Sequence, residues 1–201
     1  MTAVTDTQNK SRLYQWLMRH ATSPSARYIL AAVSFAESSF FPLPPDFMLI
    51  PMIIADRAKA FVLAIICSLS SVLGGVLGYA IGYYFMNTLG QWVIDTYGLE
   101  QAFTKFQANF HEYGFWIIAL KGLTPIPYKL VTIASGASQL DLGMFVLASL
   151  ISRTGRFMML AGVIWYFGED AKQLFEKNFK LFTIGTIIAL LVGLLLVKFL
   201  L

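Results

Sequence analysis

The sequence predicts an all-α integral membrane protein built as an inverted repeat. Two re-entrant helical hairpins are each followed by a transmembrane helix, with an N-terminal amphipathic helix and a C-terminal transmembrane helix added. Three observations lead there. First, 57% of residues are hydrophobic and 13% charged, with a mean hydropathy of +0.66, well outside the balance of a water-soluble domain. Second, apolar runs at 61–86, 142–167 and 181–198 each approach the ~20 residues that a bilayer core requires. Third, two further apolar regions, 28–55 and 113–139, carry proline clusters near their middles.

Residues 1–27 are polar and contain no uninterrupted apolar core, so no cleavable signal peptide is expected there. Leu13, Trp16 and Leu17 are spaced for a short amphipathic helix on the membrane surface. Residues 28–55 contain FFPLPPDFMLIP, with Pro42, Pro44 and Pro45 at the break. Residues 113–139 contain TPIPYKLVTIASG, with Pro125, Pro127 and, further on, Gly136 as turn residues. Proline removes an amide donor and bars the residue before it from helical geometry, so neither region reads as one straight helix. Backbone broken at membrane depth survives only under protein or beside a water-filled cavity, which makes both regions re-entrant hairpin candidates. Between them, 89–112 reads as an amphipathic surface helix with a break at Gly98. The membrane domain is thus bounded at 28–168, followed by a cytoplasmic link and the last span in 169–201.

Charge sets the orientation. Lys10, Arg12, Arg19, Arg27, Arg57, Lys59, Lys172, Lys177 and Lys180 fall on one side, which the positive-inside rule assigns to the cytoplasm. Asp95, Glu100 and Glu112 against Lys105 suit the outside, where the C-terminus is also expected. The two hairpins then enter from opposite faces. A shift of about 83 positions lays Pro42-Leu43-Pro44 on Pro125-Ile126-Pro127 and Asp46 on Lys129. That is the pattern of an inverted repeat, a design that places binding sites near the midplane.

The cations left at membrane depth are Lys121, Lys129, Arg153 and Arg156, with Glu37 and Asp46 as their acidic counterparts. An unpaired charge at the bilayer centre costs at least ~2.5–3.5 kcal/mol, so these six are expected to face an interior cavity and one another. A purely structural ion-pair network and, for Lys121, snorkelling to the interface stand beside a functional role. Asp46 complements the positive end of the half-helix that Pro44 and Pro45 open, whereas Lys129 opposes the dipole of its own and needs an anion. Amides at a helix start, Lys129 and the arginines of SRTGR together would form a phosphate-binding corner. The anion is Asp46, Glu37 or a ligand phosphate.

In SSVLGGVLGYAIGYY, Gly74, Gly75, Gly78 and Gly82 recur with Ser71 at the small-xxx-small spacing of close helix approach. Packing against a hairpin explains this stripe better than a homo-oligomer interface. Cys67 is the one cysteine, too few for a disulfide or a metal site. No cofactor, metal site or nucleic-acid partner is expected. Tyr83, Tyr84, Trp92, Trp116, Trp165 and Tyr166 fall near the predicted span ends, as an interfacial aromatic belt would.

ESSFFPLPPD at 37–46, the glycine-rich span at 74–82, KGLTPIPYKLVTIASG at 121–136 and SRTGR at 152–156 together resemble the DedA family of VTT-domain (SNARE-associated) membrane proteins, in its YqaA-like branch. The resemblance implies two facing membrane-embedded hairpins, with Glu37 and Asp46 as the acidic pair and Lys121 and Lys129 near the family's hairpin arginines. It also implies a bacterial inner-membrane location and a role linked to undecaprenyl phosphate translocation, to proton-motive-force-dependent envelope homeostasis or, as in eukaryotic relatives, to phospholipid scrambling. This sequence departs from the family in having lysines around a Pro-x-Pro where arginines around a Pro-Gly turn are usual.

The expected function is therefore translocation of an anionic, phosphate-bearing membrane lipid, with Lys129, Arg153, Arg156 and Lys121 on the headgroup and Glu37 and Asp46 in proton coupling or ion pairing. A small-ion transporter or a non-transporting scaffold is the alternative. An intramembrane lipid-phosphate enzyme lacks its parts, because His20 and His111 lie on polar flanks and no nucleophile stands beside a base. Ser38, Ser39 and Ser135 read as hydroxyls capping broken helices.

Overall fold

The computed structural model describes residues 23, 25–39, 44–120 and 128–168. The expected surface helix in 1–27, Pro42, Lys121, Pro125, Pro127 and the expected span at 181–198 lie outside the described residues.

Helix α1 (Ala26–Ser39) precedes the first proline cluster, and α2 (Asp46–Ala55) follows it. Pro45 stands at the cap position of α2, where its missing amide costs nothing, and its carbonyl accepts from the Met48 and Leu49 amides. Asp46 is the first residue of that helix, at the positive end of its dipole. A single 3-10 turn (Arg57–Lys59) leads into α3 (Ala60–Phe85), which continues through a π-helical turn (Met86–Gly90) into α4 (Gln91–Tyr97). The chain turns at Gly98, whose φ of 63° is the left-handed conformation that glycine adopts without strain. Beyond the turn come α5 (Glu100–Leu120), α6 (Tyr128–Ala137) and α7 (Leu142–Phe167). Asp141 caps α7 by accepting the Met144 amide at 2.8 Å.

Two expectations need correction. The surface helix predicted at 89–112 and the hairpin predicted to open at 113 are not separate elements, because the 21-residue α5 runs through both. Residues 100–112 are polar and 113–120 apolar, but a change of composition alters the preferred solvent and leaves the backbone hydrogen bonds intact. Gly114, the one special residue at the boundary, stays helical and buried beneath Leu140. Gly136, expected at a turn, lies inside α6 and packs on α3, while the turn after α6 falls at Gln139, the described non-glycine residue with positive φ.

Helices α3 and α7 are the membrane-length elements. The continuous helical stretch Arg57–Gly90 has 34 residues and α7 has 26, both strongly apolar. At ~1.5 Å per residue either exceeds a ~30 Å hydrocarbon core. Their outer faces are inverted relative to a soluble protein: Val62, Ile65, Leu69, Leu73 and Leu77 form an exposed stripe along α3, and Leu147, Ile151, Met159 and Val163 do so along α7. The interior holds the polar groups. Ser34, Ser38, Ser39, Ser68, Ser71, Thr132, Ser135, Ser149, Ser152 and Arg153 are all buried.

Those polar groups form a layer between two apolar cores. One core joins Leu30 of α1 and Leu49 and Ile53 of α2 to Leu63 and Cys67 of α3 and Phe157, Ala161 and Ile164 of α7. The other joins Ile118 of α5 and Val131 of α6 to Leu140, Phe145 and Ala148. Along α3 the layer takes in Ser68 and Ser71, and along α7 Ser149 to Arg156, close to the middle of each 26-residue helix. Each core is built on one of the two proline-broken segments, and the layer separates them.

Helix α3 is the packing centre, touching α1, α6 and α7. Its glycine stripe makes this possible. A Cβ on Gly74 would lie 2.1 Å from the Phe35 carbonyl oxygen, and one on Gly82 would lie 2.0 Å from that of Ile133. Gly75 and Gly78 face Tyr128, Thr132 and the Ser38 carbonyl. The stripe therefore seats both α1 and α6, which is the intramolecular packing that its spacing predicts.

Candidate functional site: a charged layer between two broken segments

Arg153 and Arg156 are three residues apart on α7, so both face the same side of the helix. Each meets an acid from the first broken segment. Arg153 Nη2 donates to Glu37 Oε2 at 3.0 Å, and Arg156 Nη2 donates to Asp46 Oδ2. Glu37 sits near the end of α1 and Asp46 at the start of α2, so the two pairs straddle the break.

Arg153 is held on every side. Its Nε donates to Ser71 Oγ, and its guanidinium lies 4.6 Å from the Tyr128 ring centre and 4.9 Å from that of Phe157. Ser71 in turn shares a 2.6 Å hydrogen bond with Ser38, whose hydroxyl lies within hydrogen-bond reach of both Glu37 and the Ser34 carbonyl. The network thus ties α1, α3, α6 and α7 together at one point. Ser71 and Arg153 are 82 residues apart, the same offset that separates the helix starts at 60 and 142. Residues equivalent by position meet each other at the centre.

Arg156 is held less fully. Its side chain is 32% exposed against 5% for Arg153, and among the described residues Asp46 Oδ2 is its one hydrogen-bond acceptor. The other Asp46 oxygen, Oδ1, is buried with no partner among the described residues. Lys129 is the second residue of α6, half-buried, next to the Tyr128 that covers Arg153. Among the described residues no carboxylate lies within ion-pair distance of it.

Sequence reasoning places six charges in one set, Glu37, Asp46, Lys121, Lys129, Arg153 and Arg156; the structure pairs Glu37 with Arg153 and Asp46 with Arg156, shows no carboxylate on Lys129 among the described residues, and Lys121 lies outside them. It left the partner of Lys129 open, and both acids turn out to be engaged by α7 arginines. It missed two contributors to the layer. Ser71 had been counted only among small packing residues, and Tyr128 had not been singled out, although an aromatic next to a membrane lysine is a signal worth following. The serine hydroxyls bond main-chain carbonyls beside the broken segments. Ser38, Ser39 and Ser135 donate to the carbonyls of Ser34, Phe35 and Val131 four residues back, and Ser39 also donates to Gly74. Thr132 donates to the Lys129 carbonyl at 2.8 Å, beside the glycine stripe. His111 is exposed on α5. No cluster of metal-ligating side chains occurs among the described residues.

Comparison with known proteins agrees with this frame. The family model for the VTT domain matches residues 43–166. An uncharacterized protein of Haemophilus influenzae is 30% identical, covering 92% of this chain and 96% of its own. An uncharacterized protein of Histophilus somni is 33% identical, covering 92% and 97%. No solved structure matches the chain. With the domain model running from the first proline cluster through α2, α3 and nearly all of α7, the chain belongs to the VTT-domain (DedA) family of membrane proteins.

Proposed function

We propose that this protein is a transporter that moves an anionic, phosphate-bearing lipid, such as a polyprenyl phosphate or a phospholipid, across the membrane, with its headgroup passing through the charged layer. The family is membrane-transporter-like; the lipid cargo is our reading. One observation carries it. Among the described residues the layer holds three cations, Lys129, Arg153 and Arg156, against two acids, and both acids are engaged by the arginines. A surplus positive charge at bilayer depth is costly without a counter-anion. Lys129 also stands at the start of a helix, where the dipole favours an anion and opposes a cation. A phosphate beside Lys129 relieves both penalties.

In this reading the two broken segments are re-entrant and inverted with respect to each other. The reading is supported by the common offset between the long helices, by the two separate cores and by the Ser71–Arg153 contact. Lys121, outside the described residues, is the further headgroup cation in this reading. Asp46 competes with the lipid for Arg156, while Glu37 holds Arg153 in place; protonation of either acid would loosen its pair and couple movement to pH. The cell membrane of a bacterium, N-terminus inside, is the proposed setting.

Lys129→Ala is expected to slow lipid movement in proteoliposomes at least about tenfold without lowering the melting temperature, since it removes a cation that opposes a helix dipole. Unchanged movement would sink the assignment of Lys129. Glu37→Gln is expected to flatten the pH dependence of transport, and an unaltered profile would remove that carboxylate from coupling.

A further inference from the structure

We infer that the two α7 arginines have separate tasks: Arg156 exchanges Asp46 for the phosphate of the ligand, while Arg153 is a positioning residue that never touches it. This rests on the reading of the charged layer as an anion site. The structural asymmetry between the two pairs carries it. Arg153 has an aromatic ring near its guanidinium on two elements, a serine on Nε and a carboxylate on Nη2, and its side chain is almost wholly buried. With that burial, a phosphate on its Nη2 would have to displace Glu37.

Arg156 has the opposite character. A guanidinium offers five donors in a fixed fork suited to two oxygens of a carboxylate or phosphate. Here one donor meets one oxygen of Asp46, with Phe157 at 5.5 Å along one side and about a third of the side chain open. Asp46 is 7% exposed and leaves its Oδ1 buried without a donor among the described residues. The pair is therefore under-satisfied on both sides. A carboxylate that uses one oxygen on an arginine with free donors is a weaker competitor than a bidentate one, so an incoming phosphate can take the fork. Asp46 then acts as the counter-anion that displaces the ligand and resets the site. The sequence places the second cation, Lys129, on the facing segment.

The test is calorimetric titration of the full-length protein in detergent with dihexanoyl phosphatidic acid, with inorganic phosphate, and with dihexanoylglycerol as the uncharged control. Arg156→Gln is expected to weaken phosphatidic acid binding about tenfold, the worth of one charge-assisted contact, and Asp46→Asn to tighten it several-fold by removing the competitor. Arg156→Lys keeps the charge and the Asp46 pairing, so it tests the fork if Arg156→Gln folds poorly; it is expected to bind several-fold more weakly than the wild type. The same variant pattern with inorganic phosphate would support the exchange site and assign its ligand to free phosphate. Wild-type affinity in both Arg156 variants, weaker binding in Asp46→Asn, or no phosphate binding by the wild type would overturn the inference. If the wild type moves no polyprenyl phosphate in liposomes while this binding pattern holds, the transport reading fails and the exchange site stands. If the wild type moves lipid and the Arg156 variants bind as it does, the reverse is true.

Discussion

Arg153→Met is expected to lower the stability of the detergent-solubilised protein by about 3–5 kcal/mol, the range for removing one partner of a buried ion pair. The side chain lost is 5% exposed and is bonded to Glu37 and Ser71. Its removal strands the Glu37 carboxylate, 17% exposed, with only the Ser38 hydroxyl as a donor among the described residues. Methionine fills much of the volume, so the loss reports charge more than cavity. Replacing both partners, as in Glu37→Leu with Arg153→Met, is expected to recover most of that stability, because a packed apolar pair removes the stranded charge. Denaturant unfolding of the two single variants and the double variant forms a cycle that isolates the pair. A single variant as stable as the wild type would show that the pair does not hold the layer together.

Gly136→Ala and Gly82→Ala are expected to be damaging too, by a different route. A Cβ on Gly136 would lie 1.9 Å from the Tyr79 carbonyl oxygen and 2.8 Å from the Tyr83 nitrogen; one on Gly82 would lie 2.0 Å from the Ile133 oxygen. All of these are backbone atoms, which no rotamer change can move aside. Helices α3 and α6 would have to part by roughly an ångström, and overpacking of this kind typically costs ~1–3 kcal/mol and sometimes more. The layer would also open, since Tyr128 and Lys129 ride on α6. Gly162→Ala is the control: nothing among the described residues lies within 4 Å of its new Cβ, and alanine is the better helix former by ~0.8–1.0 kcal/mol. Thermal melting in detergent should show a large loss for the first two and none for the third. Equal melting temperatures in all three would mean that α3 and α6 are not in backbone contact.

The parts of this architecture that could be read from the sequence are those that single residues enforce. Pro44 and Pro45 fix where α2 can start, Gly98 marks a turn, and the glycine spacing of α3 announces a close neighbour. The length and composition of α3 and α7 follow from their apolar runs. Less legible was anything that depends on which surfaces meet. The join at 112–113 was invisible because a helix can pass from a polar to an apolar setting without a break, and α5 does so. Gly136 looked like a turn residue because glycine serves both turns and close packing, and only the neighbouring α3 backbone decides between them.

The site followed the same rule. Charge at membrane depth singled out Glu37, Asp46, Lys121, Lys129, Arg153 and Arg156, since an intramembrane charge needs a partner. Which acid meets which arginine depends on the angle at which α7 crosses the first broken segment, and no local pattern encodes that angle. Ser71 and Tyr128 were missed for a related reason. A serine among glycines and an aromatic near a helix start are each unremarkable alone, and their roles arise only when Arg153 arrives from a helix far along the chain.

The most direct test of the central claim is transbilayer movement of a polyprenyl phosphate in liposomes containing the purified protein, measured for the wild type, Lys129→Ala and Asp46→Asn. The account predicts movement in the wild type and its loss in both variants, through a missing cation in one and a missing release group in the other. Equal movement in all three, or none in the wild type under any pH gradient, would contradict it.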